Sequence, residues 1–378
     1  MTARSREVRP AEPGPAPVWD VINGFAAYWA LSAAIDLDIF EQLADGPATS
    51  AELADATGVS DAADLTLLAQ LLTAKGLLDT DGERWSNSAA SARFLVPSSA
   101  ASMVELVRHS PGPKQGWPAL ASTLRDGRPA APITDALDAL YPALVAATAA
   151  TQAAVARGVA LELRSRGLWD GTGLIVDLGC GSGAWLQSLL AAGAGADPAT
   201  GAGADPATGA DARVGAAADA GAVASAIGVD LPLVLPAAQE RLAGHDVTLV
   251  AGDYLEADLP SRRAAIVVLA HVLRAESAPR AEALLGRALD LLAEDGVLLV
   301  ADYFRPPDGA STDTYAAAVH DLTLALTMRA STVGRGITEP TLAAWCATRG
   351  AHTVAVVEPV PRQRVHLITS SGGTHGTL

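Results

Sequence analysis

Over the first third of the chain, apolar positions recur at helical spacing. Over the last half they come in short continuous runs separated by amphipathic text. Val21 to Ala44 (VINGFAAYWALSAAIDLDIFEQLA) has apolar residues on most faces and predicts one helix plus part of a second. That is more apolar surface than one small lobe can cover, which points to packing against a partner chain. TSAELADATGVS opens with Thr49 and has Glu52 three residues on, a capping-box spacing, and stops at Gly58. Leu65, Leu67, Leu68, Leu71 and Leu72 then mark a second helix, closed by Gly76. Asp81-Gly82 predicts a hairpin between two short strands. Helix, helix, hairpin is the order of a winged helix. Residues 98–168 predict further helices, with a polar loop from His109 to Trp117 that contains Lys114. An Ala-rich helix from Pro142 links to the second half.

From Gly173 the period changes. GLIVDLG, ASAIGVDLP, HDVTLVAGDY, AAIVVLAHVL and DGVLLVADYF are five strand-like runs with helical text between them, and VAVVEPVPRQRVHLITSS supplies two closing strands. Such alternation predicts a parallel sheet with helices on both faces. The expected fold class is therefore α/β, a doubly wound domain over 169–370, preceded by a mostly helical, winged-helix-like domain over 19–168. Residues 1–18, with Pro10, Pro13, Pro15 and Pro17, predict a disordered lead-in. GADPATGA at 195–202 is repeated at 203–210, and Ala, Gly and Asp continue to about Ala222. With no large apolar residue before Val214, the segment 195–222 predicts a disordered insertion.

Composition narrows the function classes. The net charge is −16, so phosphate backbones and anionic membranes are disfavoured partners. In the winged-helix region Lys75, Arg84 and Arg93 face Glu52, Asp55, Asp61, Asp64, Asp79, Asp81 and Glu83, the wrong sign for a DNA-binding surface. Cys180 and Cys346 cannot form a disulfide framework. With no apolar signal core and no uninterrupted apolar run of membrane-spanning length, the expectation is a cytoplasmic protein with neither nucleic acid nor membrane as partner.

Three motifs carry chemistry. In VDLGCGSG a strand ends near Asp177, Gly179, Gly181 and Gly183 follow, and a helix begins. The glycines permit a tight turn and close approach of a ligand, and the helix offers free amides. Alone, this loop fits a dinucleotide as well as another nucleoside, or merely a connection. In GVDLP, Asp230 closes the second strand, where an acid can accept ribose hydroxyls. In AGDYLEADLP, Gly252, Asp253 and the aromatic Tyr254 follow the third. All three lie at carboxyl ends of successive parallel strands and so line one crevice.

In that order the motifs resemble the nucleoside-binding motifs of class I S-adenosylmethionine-dependent methyltransferases. The whole chain from about 20 to 370, apart from the repeat, resembles the small-molecule O-methyltransferase branch, which includes bacterial antibiotic-tailoring enzymes. The ASARFL, AHVL and LLAEDGVLLVADYF stretches share in the likeness. The resemblance implies an N-terminal winged-helix dimerisation domain, a homodimer, S-adenosyl-L-methionine as cofactor and a small secondary-metabolite acceptor methylated on oxygen or carbon. It implies that Gly179, Gly181 and Gly183 approach the methionine part, Asp230 holds the ribose, and Asp253 and Tyr254 bound the adenine. NAD is disfavoured because the loop runs G-C-G-S-G rather than G-x-G-x-x-G. Hydroxylation or decarboxylation by a cofactor-binding relative, and a nucleoside-sensing regulator, are the alternatives.

The chain departs from the family at one position. Many members place a basic histidine in V-L-H-D-W after the fourth strand, where this chain reads AHVLRAES and has Arg274. Arginine cannot act as a base. It can orient a carboxylate or stabilise an enolate or phenolate, or simply be a solvated charge on a helix. His271 at the strand end, His320 on the helix that in this family walls the acceptor pocket, and His109 in the polar loop remain as candidates. Asp302 ends the fifth strand, where the family often has an acid that supports the base, and Glu339 lies near a second such position. No pair has the spacing of a firm metal site, although His271 and His320 can converge in space.

Overall fold

A computed structural model describes residues 14–99, 101–109, 116–130, 132, 137–195, 224–259 and 263–370. The chain divides into two compact units, residues 1–108 and 109–378.

In the first unit, α1 (Ala16–Asp36) and α2 (Ile39–Gln42) precede α3 (Ser50–Thr57) and α4 (Ala62–Ala74). The hairpin β1 (Leu78–Thr80) and β2 (Trp85–Asn87), then α5 (Ala89–Phe94) and α6 (Val104–His109), complete it. Helix α3 has the reciprocal capping box of Thr49 and Glu52, and Gly58 ends it at φ 74°. Ile35, Ile39, Phe40, Leu53, Leu65, Leu72, Leu78 and Trp85 form the core. The lead-in expected through residue 18 ends earlier, because α1 begins at Ala16. Pro17 lies in its first turn, where a missing N–H costs nothing and the fixed φ suits a helix. The rest of that expectation, residues 1–13, lies outside the described residues.

Helix α1 is long and apolar enough, by length and composition, to cross a membrane. Its Val18, Trp19, Val21, Phe25 and Trp29 are exposed, while Ser32, Ala34 and Ile35 are buried. Only its C-terminal end packs within its own unit.

The second unit opens with α7 (Leu120–Asp126) and α8 (Leu137–Ser165). Then come β3 (Leu174–Leu178), α9 (Ala184–Gly193), β4 (Ser225–Asp230), α10 (Leu235–Arg241), β5 (Val247–Ala251) and β6 (Ala264–Ala270). A 3-10 turn at Leu273–Ala275 leads to α11 (Ala278–Leu291), β7 (Leu292–Asp302), α12 (Thr312–Ala317), α13 (Val319–Ser331), α14 (Glu339–Ala347), β8 (Ala351–Val360) and β9 (Gln363–Ser370). The strand order is β5-β4-β3-β6-β7-β9-β8. Strands β3 to β7 are parallel, and β9 and β8 are added antiparallel. All seven expected strands are present. The expected insertion lies, after Gly195, outside the described residues.

Burial on both faces explains the near-continuous apolar runs. Ile175, Ile266, Val268 and Leu299 pack with α8 and α9 on one face. Val176, Leu178, Val267, Leu269 and Leu298 pack with α11 and α14 on the other. The boundary expected after residue 168 falls instead after residue 108. The long helix α8 does not link two domains but joins the sheet's first face. Its Val155, Ala156, Val159, Ala160 and Leu163 are fully buried there, and Gly158 leaves no room for a Cβ against Pro359 of β8.

Candidate functional site

The chain runs outward from β3 to β4 and β5, then returns to the other side of β3 as β6. The switch point therefore lies between β3 and β6, where ligands of doubly wound sheets bind at the carboxyl edge. The glycine loop stands there. Gly179 and Cys180 donate their amides to Val229 O at 2.8 and 3.0 Å. Gly179 has φ 92°, and a Cβ on it would run into Val272, which follows β6. Gly183 caps α9 at φ 73°, and a Cβ there would lie 2.6 Å from Leu242 Cδ1. Only glycine fits at either place. Gly181 (φ 55°) donates its amide to Asp230 Oδ2 at 2.7 Å.

Asp230 accepts a second amide, from Leu231, on Oδ1 at 2.7 Å. Its carboxylate thus fixes the loop and retains a second acceptor direction on each oxygen. Burial raises its proton affinity, and the two amides oppose the rise. Asp177 is fully buried, and neither carboxylate oxygen has a hydrogen-bond partner among the described residues. Burial pushes this carboxyl well above the ordinary carboxylate value, and the charge of Asp230 adds to the rise. Such a group calls for a cationic partner.

Gly252 donates its amide to Asp230 O at 3.0 Å, which joins the third motif to the second. The Asp253 carboxylate accepts Leu255 N–H at 2.8 Å and Arg280 Nη2 at 2.8 Å. Its proton affinity falls: partial burial works against the fall, but the Leu255 amide and the Arg280 guanidinium outweigh it. Arg280 also binds Glu276 at 2.8 Å, and the Tyr254 hydroxyl donates to Glu276. Arg280 and Glu276 thus set the groups expected around the adenine, and the sequence reading did not find them. The i, i+4 spacing of Glu276 and Arg280 was the available signal.

The catalytic candidates gather at the next strand ends, around a residue that the sequence reading passed over, Tyr303. The His271 ring lies against the Tyr303 ring at 5.2 Å between centroids. His320, exposed at the start of α13, meets the same ring edge-on at 5.4 Å. The Arg274 guanidinium carbon is 5.0 Å from the ring centre. Asp302 is 1% exposed, and its Oδ1 lies 3.8 Å from His271 Nδ1 and 3.7 Å from Arg274 Nε. Gln363 donates its side-chain amide to the Tyr303 hydroxyl. Arg274 is in the 3-10 turn, not on a helix as one reading of the sequence had it.

His271 has φ 62°, a left-handed conformation that is strained for this side chain. Its ring nitrogens are buried without hydrogen-bond partners among the described residues. Burial lowers its proton affinity and the Arg274 charge lowers it further, while Asp302 and Gln363 oppose the fall. The imidazole is therefore neutral at pH 7 and available as a base.

Glu339 is drawn elsewhere, pairing with Arg364 at 2.8 Å and facing His366 at 3.3 Å. His109 ends α6 and Lys114 lies outside the described residues. Among the described residues no group of three or more His, Cys, Asp or Glu side chains could hold a metal ion.

The arrangement fits S-adenosylmethionine. Asp177 is an acid without a hydrogen-bond partner among the described residues that could take its ammonium, Gly179 and Gly183 stand in the loop where a Cβ has no room, and Asp230 has lone pairs that could accept from ribose hydroxyls. Comparisons with known proteins agree. Residues 19–97 match the O-methyltransferase dimerisation domain and residues 152–363 match a methyltransferase domain. The N,N-dimethyltransferase OxyT of Streptomyces rimosus is 29% identical over 304 residues, covering 78% of this chain and 77% of the relative. The 3-hydroxy-5-methyl-1-naphthoate 3-O-methyltransferase of Streptomyces sahachiroi is 26% identical over 366 residues, 92% of each chain. The crystal structure of human N-acetylserotonin methyltransferase in complex with S-adenosylmethionine shares the fold. Its TM-score is 0.72 at 20% identity, over 97% of this chain and 100% of that one. The chain belongs to the methyltransferase domain family and is an S-adenosylmethionine-dependent methyltransferase preceded by an O-methyltransferase dimerisation domain.

Proposed function

We propose that the enzyme methylates an oxygen of a small aromatic acceptor in secondary metabolism, working as a cytoplasmic homodimer. One observation carries the reading: His271, Arg274, Asp302 and His320 meet around Tyr303 at the sheet edge that bears the glycine cradle. The Streptomyces sahachiroi relative, a naphthoate 3-O-methyltransferase, supports it. The exposed apolar face of α1 lies within the dimerisation-domain match and supports the homodimer. Cys180 and Cys346, both free and buried, suit a reducing compartment.

When bound, the cofactor supplies an electrophilic methyl group on a sulfonium. Asp177 holds the ammonium, Asp230 the ribose, and the Arg280-braced Asp253 and Tyr254 flank the base. The protein's remaining work is to place the acceptor oxygen in line and to take its proton. His271 replaces the family's usual base. Its neutral imidazole accepts the hydroxyl proton, and the nearby Asp302 stabilises the resulting imidazolium. His320 orients the acceptor from the open side of Tyr303. A nitrogen acceptor is the second reading, favoured by the name of OxyT.

The test is mass spectrometry of products from a library of phenols, hydroxy acids and arylamines incubated with a labelled methyl donor. A label on oxygen, lost in Asp177→Asn and His271→Asn, is the expected result. A label on nitrogen establishes the second reading, and products without added methyl overturn both.

A further inference from the structure

We infer that Arg274, flanked by His271 and backed by Tyr303, is a subsite for an anionic group on the acceptor, a carboxylate or an acidic enol or phenol. The inference rests on the reading of this cluster as the acceptor pocket and names the substrate class it takes.

The Arg274 side chain is 19% exposed. Its Nε and Nη1 are buried and have no hydrogen-bond acceptor among the described residues. The nearest carboxylate does not fill the gap. Asp302 lies at 3.7 Å, beyond hydrogen-bonding distance. Its two oxygens already accept backbone amides, Oδ1 that of Tyr303 at 2.9 Å and Oδ2 that of Arg274 itself at 3.2 Å. Tyr303 stabilises the guanidinium through its ring face, which leaves the in-plane N–H edge unmatched. Guanidinium N–H groups form a planar fork that fits a carboxylate or a pair of vicinal oxygens. Both nitrogens of His271, beside it, have no hydrogen-bond partner among the described residues.

A buried donor without a hydrogen-bond acceptor is costly, so a fold that keeps such a guanidinium must fix it by other means. The backbone does so here. The Arg274 amide is held by Asp302, and its carbonyl accepts Gly336 N–H at 3.2 Å. Gly334 lies so close to that carbonyl that a Cβ would strike it. The cation is therefore preorganised, and its missing partner is an anion that arrives with the acceptor.

The experiment measures equilibrium binding to the full-length enzyme saturated with S-adenosylhomocysteine. The probes are a series of hydroxybenzoates and hydroxynaphthoates, each paired with its carboxamide. Wild-type enzyme should prefer the carboxylate of a pair by about 10- to 100-fold, the range of a charge-assisted hydrogen bond. Arg274→Met should abolish the preference and leave cofactor affinity within about twofold. Its ligand-free Tm should stay within a few degrees of wild type, because Met fills a similar volume and buried Asp302, which loses the guanidinium at 3.7 Å, keeps its two backbone amides. Arg274→Lys should keep a fraction of the preference, since the charge remains but the fork is lost. A wild type that binds both members of each pair equally, or an Arg274→Met variant that keeps the preference, overturns the subsite. If such probes are nonetheless methylated, the acceptor-pocket reading survives. If cofactor binds but no probe accepts a methyl, that reading falls too.

Discussion

Replacing Asp177 by asparagine tests the most unusual group in the cofactor site. The side chain keeps its shape and loses a carboxyl that has no hydrogen-bond partner among the described residues. Burial has raised the folded carboxyl well above its ordinary 3.8. The folded state therefore holds this proton more tightly than the unfolded chain. Through this group, ligand-free stability falls as pH rises from the unfolded value to the folded one, and is flat beyond it. Protonation bounds the cost at about 1.4 kcal/mol per pH unit, so at pH 7 it is at most about 4 kcal/mol. Asparagine still buries an amide, which returns about 1–3 kcal/mol of that. A net stabilisation of at most about 1–3 kcal/mol near pH 7 is expected, or a Tm higher by at most roughly 2–12 °C at about 2–4 °C per kcal/mol. The gain should shrink as the pH is lowered toward 5. S-adenosylmethionine should bind about 10- to 100-fold more weakly, because a charge-assisted bond to its ammonium is lost. Thermal unfolding from pH 5 to 8 without ligand, and calorimetric titration with it, measure both effects. A variant less stable at every pH that binds the cofactor as tightly as wild type would refute the reasoning.

Asp230→Ala removes the acceptor of two loop amides and, on the proposed reading, of the ribose hydroxyls. It should weaken S-adenosylmethionine by about 1.5–3 kcal/mol in calorimetry, and an unchanged Kd would take Asp230 out of the site. His271 is held below the ordinary histidine value by burial and by Arg274, so wild-type turnover should persist to lower pH than an ordinary imidazole base allows. His271→Asn should remove that acidic limb and lower kcat by about 10²- to 10⁴-fold; if His320→Ala does so instead, His320 is the base. Phe25→Asp with Trp29→Asp places charges on the exposed apolar face of α1 and should shift the enzyme toward monomer in light scattering. A double variant that stays dimeric moves the interface elsewhere.

Where neighbours in the chain decide the structure, the sequence was enough. Thr49 and Glu52 cap α3 because they are three residues apart, and Asp81-Gly82 turns the hairpin because glycine tolerates its backbone. The runs ending at Leu178, Asp230, Ala270 and Asp302 announce strands buried on both faces, and the run ending at Ala251 announces the half-exposed edge strand. The order of the three motifs then announced the family and its cofactor. The details that make the site work depend on contacts between distant segments, which no local pattern records. Helix α8 reads as a linker until its small residues are seen to seat it on the sheet, Gly158 against Pro359. Asp253 is paired with Arg280 of α11, on the far side of β6 in the chain. Tyr303 looked like an ordinary strand-end aromatic. The parallel register of β6 with β7, and the pairing of Asp302 with Arg364, bring His271, Arg274 and Gln363 to it. That Asp177 and the Arg274 Nε and Nη1 are buried without a hydrogen-bond partner among the described residues could be decided only by the tertiary structure, because a missing partner is a property of everything packed around a group.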